Sequence, residues 1–496
     1  MMKSILLSLM LFAIVLSVSA QNPDSLRKAS PRSILTFEQA IAMAMKNAVL
    51  LNTQRNNLEQ SQMQKLSSIA GALPSVTLNS SASQFNGNSF NSQTGSVVNG
   101  IRDNVSGSIN MNMNLFTGFS RVNAIRQYSA LLNGQAYYVK RTAQDAMNTV
   151  ATQYLQVMVD EELMRIAKEN WITVDKLLQQ ISEQVKLGAK GPVDEFNQGA
   201  LTKAAELTYI QAQITWQNDK ALLAQTLLMD PFIEFQTEAP SWDINLIGKE
   251  MIDPTQMAES AKKDRPDYLR ALENEKGYKY AMYSARGQMM PSLSAFFNYA
   301  SSYNYQHNVP RIVDSTYQTV IVSNPAAASG YSLATQSTYS PHANSEYPQP
   351  FSQQFKRNNV YKQYGFQLSI PLFQGLQNRN FYVQQKVLYE NAVVQRQSAE
   401  MQIRNDVVRA VRNFEGAKKT FSISSDKLEY AQAAMDLESQ RFMLGVTSFV
   451  EYANANKVLV QAQTDKAQAE YRLVFQKVML AYAAGTLKSE DIPQQR

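Results

Sequence analysis

The sequence predicts a mainly α-helical fold with some β-structure, in which a unit of helix, strand, strand, helix and helix occurs twice. Three observations carry this prediction. Short motifs of the first half recur in the second half at fixed spacings. Two long segments, 119–187 and 376–444, contain no proline and repeat apolar residues at helical intervals. Short segments with alternating apolar and polar residues come before each of them.

The duplication is visible in two pairs of motifs. Leu115–Gly118 reads LFTG and Leu372–Gly375 reads LFQG, while Leu187-Gly188 recurs as Leu444-Gly445, so both pairs have the same spacing (372 − 115 and 444 − 187). Motifs further upstream, such as the one beginning at Leu73, recur at a shorter spacing (290 − 73). The second copy therefore carries extra residues, and we place this insert at about 303–360.

The first 20 residues predict a cleaved secretory signal peptide. Lys3 is followed by an apolar run from Ile5 to Val18, and small residues lead up to a cleavage site after about Ala20. The alternative is an N-terminal membrane anchor, for which the run is short. No cysteine follows, so no lipid attachment is predicted. The predicted domains are the signal peptide 1–20, an N-terminal extension 21–35, the first repeat 36–230, a linker 231–252, the second repeat 253–487 and a C-terminal tail 488–496.

The long segments 119–187 and 376–444 predict uninterrupted helices, each spanning roughly 100 Å at 1.5 Å per residue. The last segment of the second repeat predicts another helix with a coiled-coil-like seam. The seam residues are Leu459, Ala462, Ala469, Leu473, Leu480 and Ala483. Lys466 and Gln476 interrupt this seam in the sequence.

Four strands are predicted, at about 74–86, 103–116, 291–303 and 360–373. Each is apolar on one face and carries uncharged polar residues on the other, which suits a strand between lipid and a watery lumen. The alternative is a soluble sheet packed on helices. In lipid, four strands cannot close a barrel and an open edge is not tolerated. Closure therefore requires several chains, and three copies supply 12 strands.

Composition excludes several classes of function. The chain has 47 Lys and Arg against 41 Asp and Glu, which does not predict a nucleic-acid binder. It has no cysteine, and its two histidines, His307 and His342, both lie in the insert. No phosphate-binding loop, HExxH motif or nucleophile elbow is present. We therefore expect no enzyme activity, no cofactor and no metal.

The order of these motifs, from about residue 35 to 487, resembles the TolC family of outer-membrane efflux proteins. The stretch LGVTSFVEYANA at 444–455 and the ending at 484–487 add to the likeness. The resemblance implies a homotrimer in the outer membrane. Its 12-stranded β-barrel would continue as a long periplasmic α-helical barrel. The implied partners are outer-membrane lipid, a periplasmic adaptor (membrane fusion) protein and an inner-membrane pump of RND or ABC type. The cargo, small molecules or polypeptides, stays open.

The resemblance also implies a periplasmic gate near the Leu-Gly turns. The candidate residues are Gly188, Asp194, Phe442, Gly445, Thr447, Glu451 and Asn454. Glu451 matches an acidic ring residue of the family, Asn454 replaces a second one, and Asp194 is the equivalent in the first copy. Phe442 and Thr447 stand where the family's best-known lock has Tyr and Arg, so the chain departs from that lock. The alternative for both carboxylates is a helix N-terminal charge, favoured by the helix dipole.

A different function remains open on the sequence alone. A periplasmic coiled-coil scaffold or adhesin without a conducting channel would use the same helices, but it would not need the alternating strands. A general porin is disfavoured because four strands are too few and most of the chain is helical. The insert at 303–360 is predicted to be an extracellular loop, since bacterial barrels place their long loops outside.

Overall fold

The structure is a computed structural model that describes residues 33–91, 96–230, 232–238, 252–307, 311–323, 333–344 and 350–487. The predicted signal peptide, nearly all of the N-terminal extension, most of the linker and the C-terminal tail lie outside these residues. The chain divides into two compact units. The first comprises residues 1–55, 138–267 and 400–496, and the second comprises residues 56–137 and 268–399.

Each half of the chain contains two helices, two strands of one sheet, a long helix and a shorter helix in that order, and the second half has two more strands between its pair. The helices are α1 (Phe37–Asn47), α2 (Val49–Ala70), α3 (Ser120–Lys186), α4 (Pro192–Leu227), α5 (Pro254–Asp264), α6 (Pro266–Gly287), α7 (Gln377–Met443) and α8 (Phe449–Ala484). The strands are β1 (Ser33–Leu35), β2 (Ser75–Asn91), β3 (Ser96–Thr117), β4 (Phe235–Thr237), β5 (Ser292–Gln306), β6 (Arg311–Ser323), β7 (Leu333–Asn344) and β8 (Tyr361–Ser369).

The mainly helical, duplicated fold is therefore confirmed, with one difference at the start of each repeat. Two helices stand there instead of the single one expected. In the first repeat, α1 ends because Ala48 leaves the helical region, with φ −54° and ψ 115°. In the second repeat, Pro266 disfavours helical geometry at the preceding residue, and Arg265 takes φ −69° and ψ 117°.

The two long helices run without a break, as the absence of proline predicts. Both α3 and α7 contain 67 residues. Glycine is required just before α3, where Gly118 has a φ of +60° and a Cβ would lie 2.3 Å from the carbonyl oxygen of Gly287. No helix among the residues described is both long and apolar enough to cross a lipid bilayer.

The seam of α8 is buried at most of its predicted positions. Ala462, Ala469, Leu473, Leu480 and Ala483 are buried, and Leu459 is partly buried. Gln476 does not interrupt this face as expected, because only 8% of its surface is exposed. In the first unit, the parallel strands β1 and β4 are tied to α3 by the phenol of Tyr154, which donates a hydrogen bond of 2.8 Å to the carbonyl oxygen of Leu35.

The second unit contains one four-stranded antiparallel sheet in the order β2-β3-β5-β8. Its register places apolar residues side by side, for example Leu78 opposite Ile109 and Ile109 opposite Tyr299. The other face aligns Thr77 with Asn110 and Asn110 with Asn298. We call these the apolar face and the polar face of the sheet.

Three strands are longer and one is shorter than the sequence indicates, and β5 contains 15 residues where 291–303 was predicted. β2 contains 17 residues and β3 contains 22, so the connection between them is short. β8 contains 9 residues and pairs with β5 only as far as Ala300. Within the predicted insert, β6 and β7 form a separate antiparallel hairpin.

Candidate functional site

The candidate site is formed by the two helical turns of the first unit, which have the same backbone geometry. Gly188 has a φ of +68° and Gly445 a φ of +74°. Just beyond them, the amide of Ala189 donates to the carbonyl oxygen of Gln184, and the amide of Val446 donates to that of Arg441. A left-handed residue with such a bond is the common way to end a helix on glycine. The repeated Leu-Gly motif is therefore a helix C-cap in both copies.

Glu451 belongs to a capping box at the start of α8. The amide of Ser448 donates to its carboxylate at 2.9 Å, and the amide of Glu451 donates to the Ser448 hydroxyl at 3.3 Å. The hydroxyl of Thr447 donates a further bond of 2.5 Å. These bonds, first that of Thr447 and then those of Ser448, lower the pKa of Glu451 to about 2. The carboxylate is thus ionised and held at its own helix N-terminus.

Asp194 lies at the equivalent position of α4 but has no capping box. Gly191 stands where the second copy has Ser448, and it has no side chain to form the cap. Asp194 is partly buried and lines a cavity of about 390 Å³ between the two turns. Asn454 is exposed on α8. The structure therefore distinguishes the two carboxylates that the sequence treats as equivalent.

Phe442 packs among aromatic rings of the second turn. Its ring stacks on that of Tyr452 at 4.9 Å, and Phe449 lies 6.3 Å away. The ammonium of Lys190, from the other turn, lies 3.9 Å from the Phe442 ring centroid, which is a cation–π contact. Lys190 and Tyr452 were not among the sequence candidates. The sequence feature that could have identified Lys190 is its position two residues after Gly188, next to the first turn.

Large apolar side chains are exposed around both turns. They are Leu187, Val193, Phe196, Met443, Leu444, Val446 and Val450. The exposed fraction reaches 82% at Leu187 and 78% at Leu444. We call this group the apolar tip. An apolar surface of this kind, interspersed with polar residues, is typical of a protein-binding site.

The first unit also contains a buried carboxyl group, that of Asp160, away from the turns. Asp160 on α3 is only 5% exposed and accepts a hydrogen bond of 3.0 Å from Gln156. Burial, together with the hydrogen bond and the charge of Asp219, raises the pKa of Asp160 to about 7. The raised pKa means that Asp160 keeps its proton at pH values where an exposed aspartate has lost it.

The raised pKa of Asp160 predicts that the stability of the protein depends on pH. The folded protein keeps a proton that the unfolded chain releases near pH 4, so the free energy of unfolding should fall as pH rises from about 4 to about 7. The variant Asp160→Asn should therefore raise the melting temperature more at pH 8 than at pH 5, as measured by circular dichroism. The matched control is Asp436→Asn, since exposed Asp436 also accepts from a glutamine four residues earlier. A shift of equal size at both pH values would contradict the prediction.

No group of three or more potential metal ligands occurs among the residues described. Nε2 of His307 lies 2.8 Å from a carboxylate oxygen of Asp103, and this contact lies within the second unit. The side chain of His342 is outside the described part of the chain.

Comparison with known proteins places the chain in a family. Residues 40–227 and 259–486 match the family model described as outer membrane efflux protein. The chain therefore belongs to the outer membrane efflux protein family, a family of channel proteins, and the predicted resemblance to TolC is confirmed. Outer membrane protein TolC of Salmonella enteritidis is 23% identical over 128 residues, which cover 26% of each protein. The chain thus matches about a quarter of the length of this curated relative.

Solved channel structures share the whole fold. VceC of Vibrio cholerae superposes with a TM-score of 0.70 at 13% identity, covering 90% of this chain and 96% of VceC. The CmeC outer membrane channel of Campylobacter jejuni gives 0.73 at 15% identity, covering 93% and 90%. The mainly helical fold with a sheet is thus the fold of outer-membrane efflux channels.

Proposed function

We propose that the chain forms a homotrimeric outer-membrane channel of a tripartite efflux or secretion system. The observation that carries this proposal is the pair of unpartnered sheet edges. Among the described strands, β2 and β8 each have one neighbour only. The apolar face is exposed, with Leu78 at 76%, Tyr364 at 80% and Phe366 at 74%. Such a face belongs in lipid, where an open edge is not tolerated, so further copies must close the sheet. Three copies give 12 strands.

The apolar tip supports the proposal that the channel works together with partner proteins. It would dock onto a periplasmic adaptor protein, which would connect the channel to an inner-membrane pump of RND or ABC type. The turns with Asp194, Phe442 and Glu451 would form the gate at this end. The insert at 303–360 would be the extracellular loop. The cargo would pass through the lumen, which the uncharged polar face of the sheet would line in the membrane.

Cysteine cross-linking tests the closed barrel directly. Because the chain has no native cysteine, introduced thiols report only on the chosen pair. Thr77→Cys in β2 is combined in turn with cysteine at Gln363, Gln367 or Ser369 in β8. We expect oxidation to give covalent trimers for at least one pair, since β8 of one copy would adjoin β2 of the next. The matched control combines Thr77→Cys with Asn298→Cys. This pair should give no covalent trimer, because β5 is already flanked by β3 and β8.

A second measurement separates the channel from the alternative. Detergent-solubilised protein from outer membranes should have three times the mass of the mature chain and should conduct ions in planar bilayers. A monomer that stays in the soluble periplasmic fraction, with no cross-linked trimer from any pair, would reject the channel. That result would favour the scaffold or adhesin.

A further inference from the structure

The segment 350–359, between β7 and β8, folds back onto the sheet of the second unit. It consists of a helical turn, Phe351–Gln353, followed by a wider turn, Gln354–Asn358. The side-chain amide of Gln354 bonds both backbone groups of Asn304, each at 3.2 Å. Asn359 donates a bond of 2.8 Å to the carbonyl oxygen of Ser302. The segment therefore satisfies backbone groups of β5 beyond Ala300, where β8 no longer pairs with it.

This segment lies on the apolar face of the sheet. Gly107 and Ser301 are register partners on that face, and both are small. The Phe355 ring lies 3.0 Å from the position that a Cβ of Gly107 would take, and Ser301 is only 5% exposed beneath it. Phe351 stacks on Phe355 at 5.0 Å between ring centroids. Phe351 also meets Tyr303 edge to face at 5.1 Å. A small aromatic cluster thus stands on the face proposed to meet lipid.

Three exposed cations lie within the segment 350–359 or just after it. Lys356 and Arg357 belong to the same turn as Phe355. Lys362 is the register partner of Tyr299 on the apolar face, and its ammonium lies 5.8 Å from the Tyr299 ring centroid. Within the described residues, no salt bridge neutralises any of the three. We call Lys356, Arg357 and Lys362 the cationic patch.

The position of the cationic patch indicates which kind of ligand it binds. A lysine or arginine is costly in the hydrocarbon core but favourable at the headgroup level, where aromatic residues also collect. Lys356 and Arg357 belong to the segment that bonds Ser302 and Asn304, in the part of β5 that leads into the long insert, and Lys362 pairs with Tyr299 nearer the middle of that strand. The insert end of β5 is the outer end under the proposed function. Three exposed cations that form no salt bridge with a described residue, next to aromatic rings, complement the phosphates of a lipid headgroup.

We propose that the cationic patch binds the phosphate groups of the phosphorylated glycolipid of the outer leaflet. This inference rests on the proposed function, because it places the sheet in the outer membrane. Phe351 and Phe355 would contact the upper acyl chains, while Lys356, Arg357 and Lys362 would hold the phosphates. The segment 350–359 is then a built-in lipid anchor next to β8, the strand that adjoins the neighbouring copy in the trimer.

Native mass spectrometry of detergent-solubilised trimers tests the proposal. The probes are diphosphoryl lipid A and the same lipid with both phosphates removed. We expect the wild type to bind the phosphorylated form about tenfold more tightly, since the proposed contacts are charge-assisted. The variant Lys356→Gln/Arg357→Gln/Lys362→Gln should lose this preference. The variant Lys356→Arg/Arg357→Lys/Lys362→Arg, which keeps the charge, should retain it.

A matched control removes three exposed cations from the helices of the first unit. Arg412→Gln/Lys419→Gln/Lys457→Gln makes the same change in net charge and should keep the lipid preference. Trimer mass and bilayer conductance, measured first, should be unchanged in all three variants, so failure of the channel proposal is recognised separately. Equal lipid binding by the wild type and the glutamine variant would overturn the inference. So would equal binding of phosphatidylglycerol, or displacement of the lipid by millimolar inorganic phosphate.

Discussion

Replacing Asp194 by Asn and Glu451 by Gln should strongly reduce the cation selectivity of the proposed trimeric channel while leaving the trimer intact. In a trimer these two residues place six carboxylates around the turns. Carboxylates that surround one opening concentrate cations and repel anions. We expect the ratio of potassium to chloride permeability to fall several-fold, measured as the reversal potential in a potassium chloride gradient. Block by divalent cations should weaken in the same variant.

The choice of substitutions follows from the local structure. Glutamine at the third helical position can keep the capping box of Ser448, so Glu451→Gln removes the charge without removing the cap. Glu451→Ala would remove both and would mix a folding effect with an electrostatic one. Asn keeps the shape of Asp194, which lines the cavity beside Lys190 and Phe442.

The pH dependence of selectivity is a further check on the same residues. Because its hydrogen bonds lower the pKa of Glu451 to about 2, its charge should persist when the periplasmic side is acidified to about pH 4.

The matched control is Asp426→Asn/Glu429→Gln, which neutralises two exposed carboxylates of α7 away from the turns. If the Asp194/Glu451 variant selects cations like the wild type, these carboxylates are helix-terminal charges only. The gate would then have to be sought among Phe442, Lys190 and the apolar tip.

Replacing Arg265 by Met should destabilise the first unit by about 3 kcal/mol, which is the order expected when a buried ion pair loses one partner. The Arg265 side chain is 2% exposed and binds two carboxylates. Nε donates a bond of 3.0 Å to Asp267, and Nη1 donates a bond of 3.0 Å to Asp406 on α7. Its removal would take the buried cation away from both carboxylates, beside a cavity of about 410 Å³.

Arg409 supplies the control for this prediction. It also donates to Asp406, at 2.7 Å, but its side chain is 71% exposed. Exposed ion pairs contribute roughly 0–1 kcal/mol, so Arg409→Met should change the melting temperature little. Thermal unfolding followed by circular dichroism compares both variants with the wild type. An equal loss of stability in the two variants would show that burial of Arg265 does not decide its contribution.

Local pattern was sufficient for the elements that depend on short-range geometry. The absence of proline predicted the uninterrupted α3 and α7, whose 67 residues begin and end within one residue of the predicted segments 119–187 and 376–444. Alternation of apolar and polar residues predicted the two faces of the sheet, because side chains of a strand point alternately to either side. The Leu-Gly repeats marked both turns, because glycine readily adopts the left-handed conformation that ends a helix.

Tertiary structure decided the contacts between residues that are distant in sequence. Periodicity predicts which face of a helix is apolar, but not which polar side chains a neighbouring helix covers, so burial of Gln476 was unforeseen. The same holds for Lys190 above Phe442, for Arg265 between two carboxylates and for Phe355 over Gly107. The sequence by itself determined the long helices, the four strands of the sheet and the order in which they repeat. Only packing decided which side chains meet at the turns and on the sheet. Lys190 and Phe442, for example, are 252 residues apart in the chain (442 − 190), and no local sequence pattern carries information over such a separation.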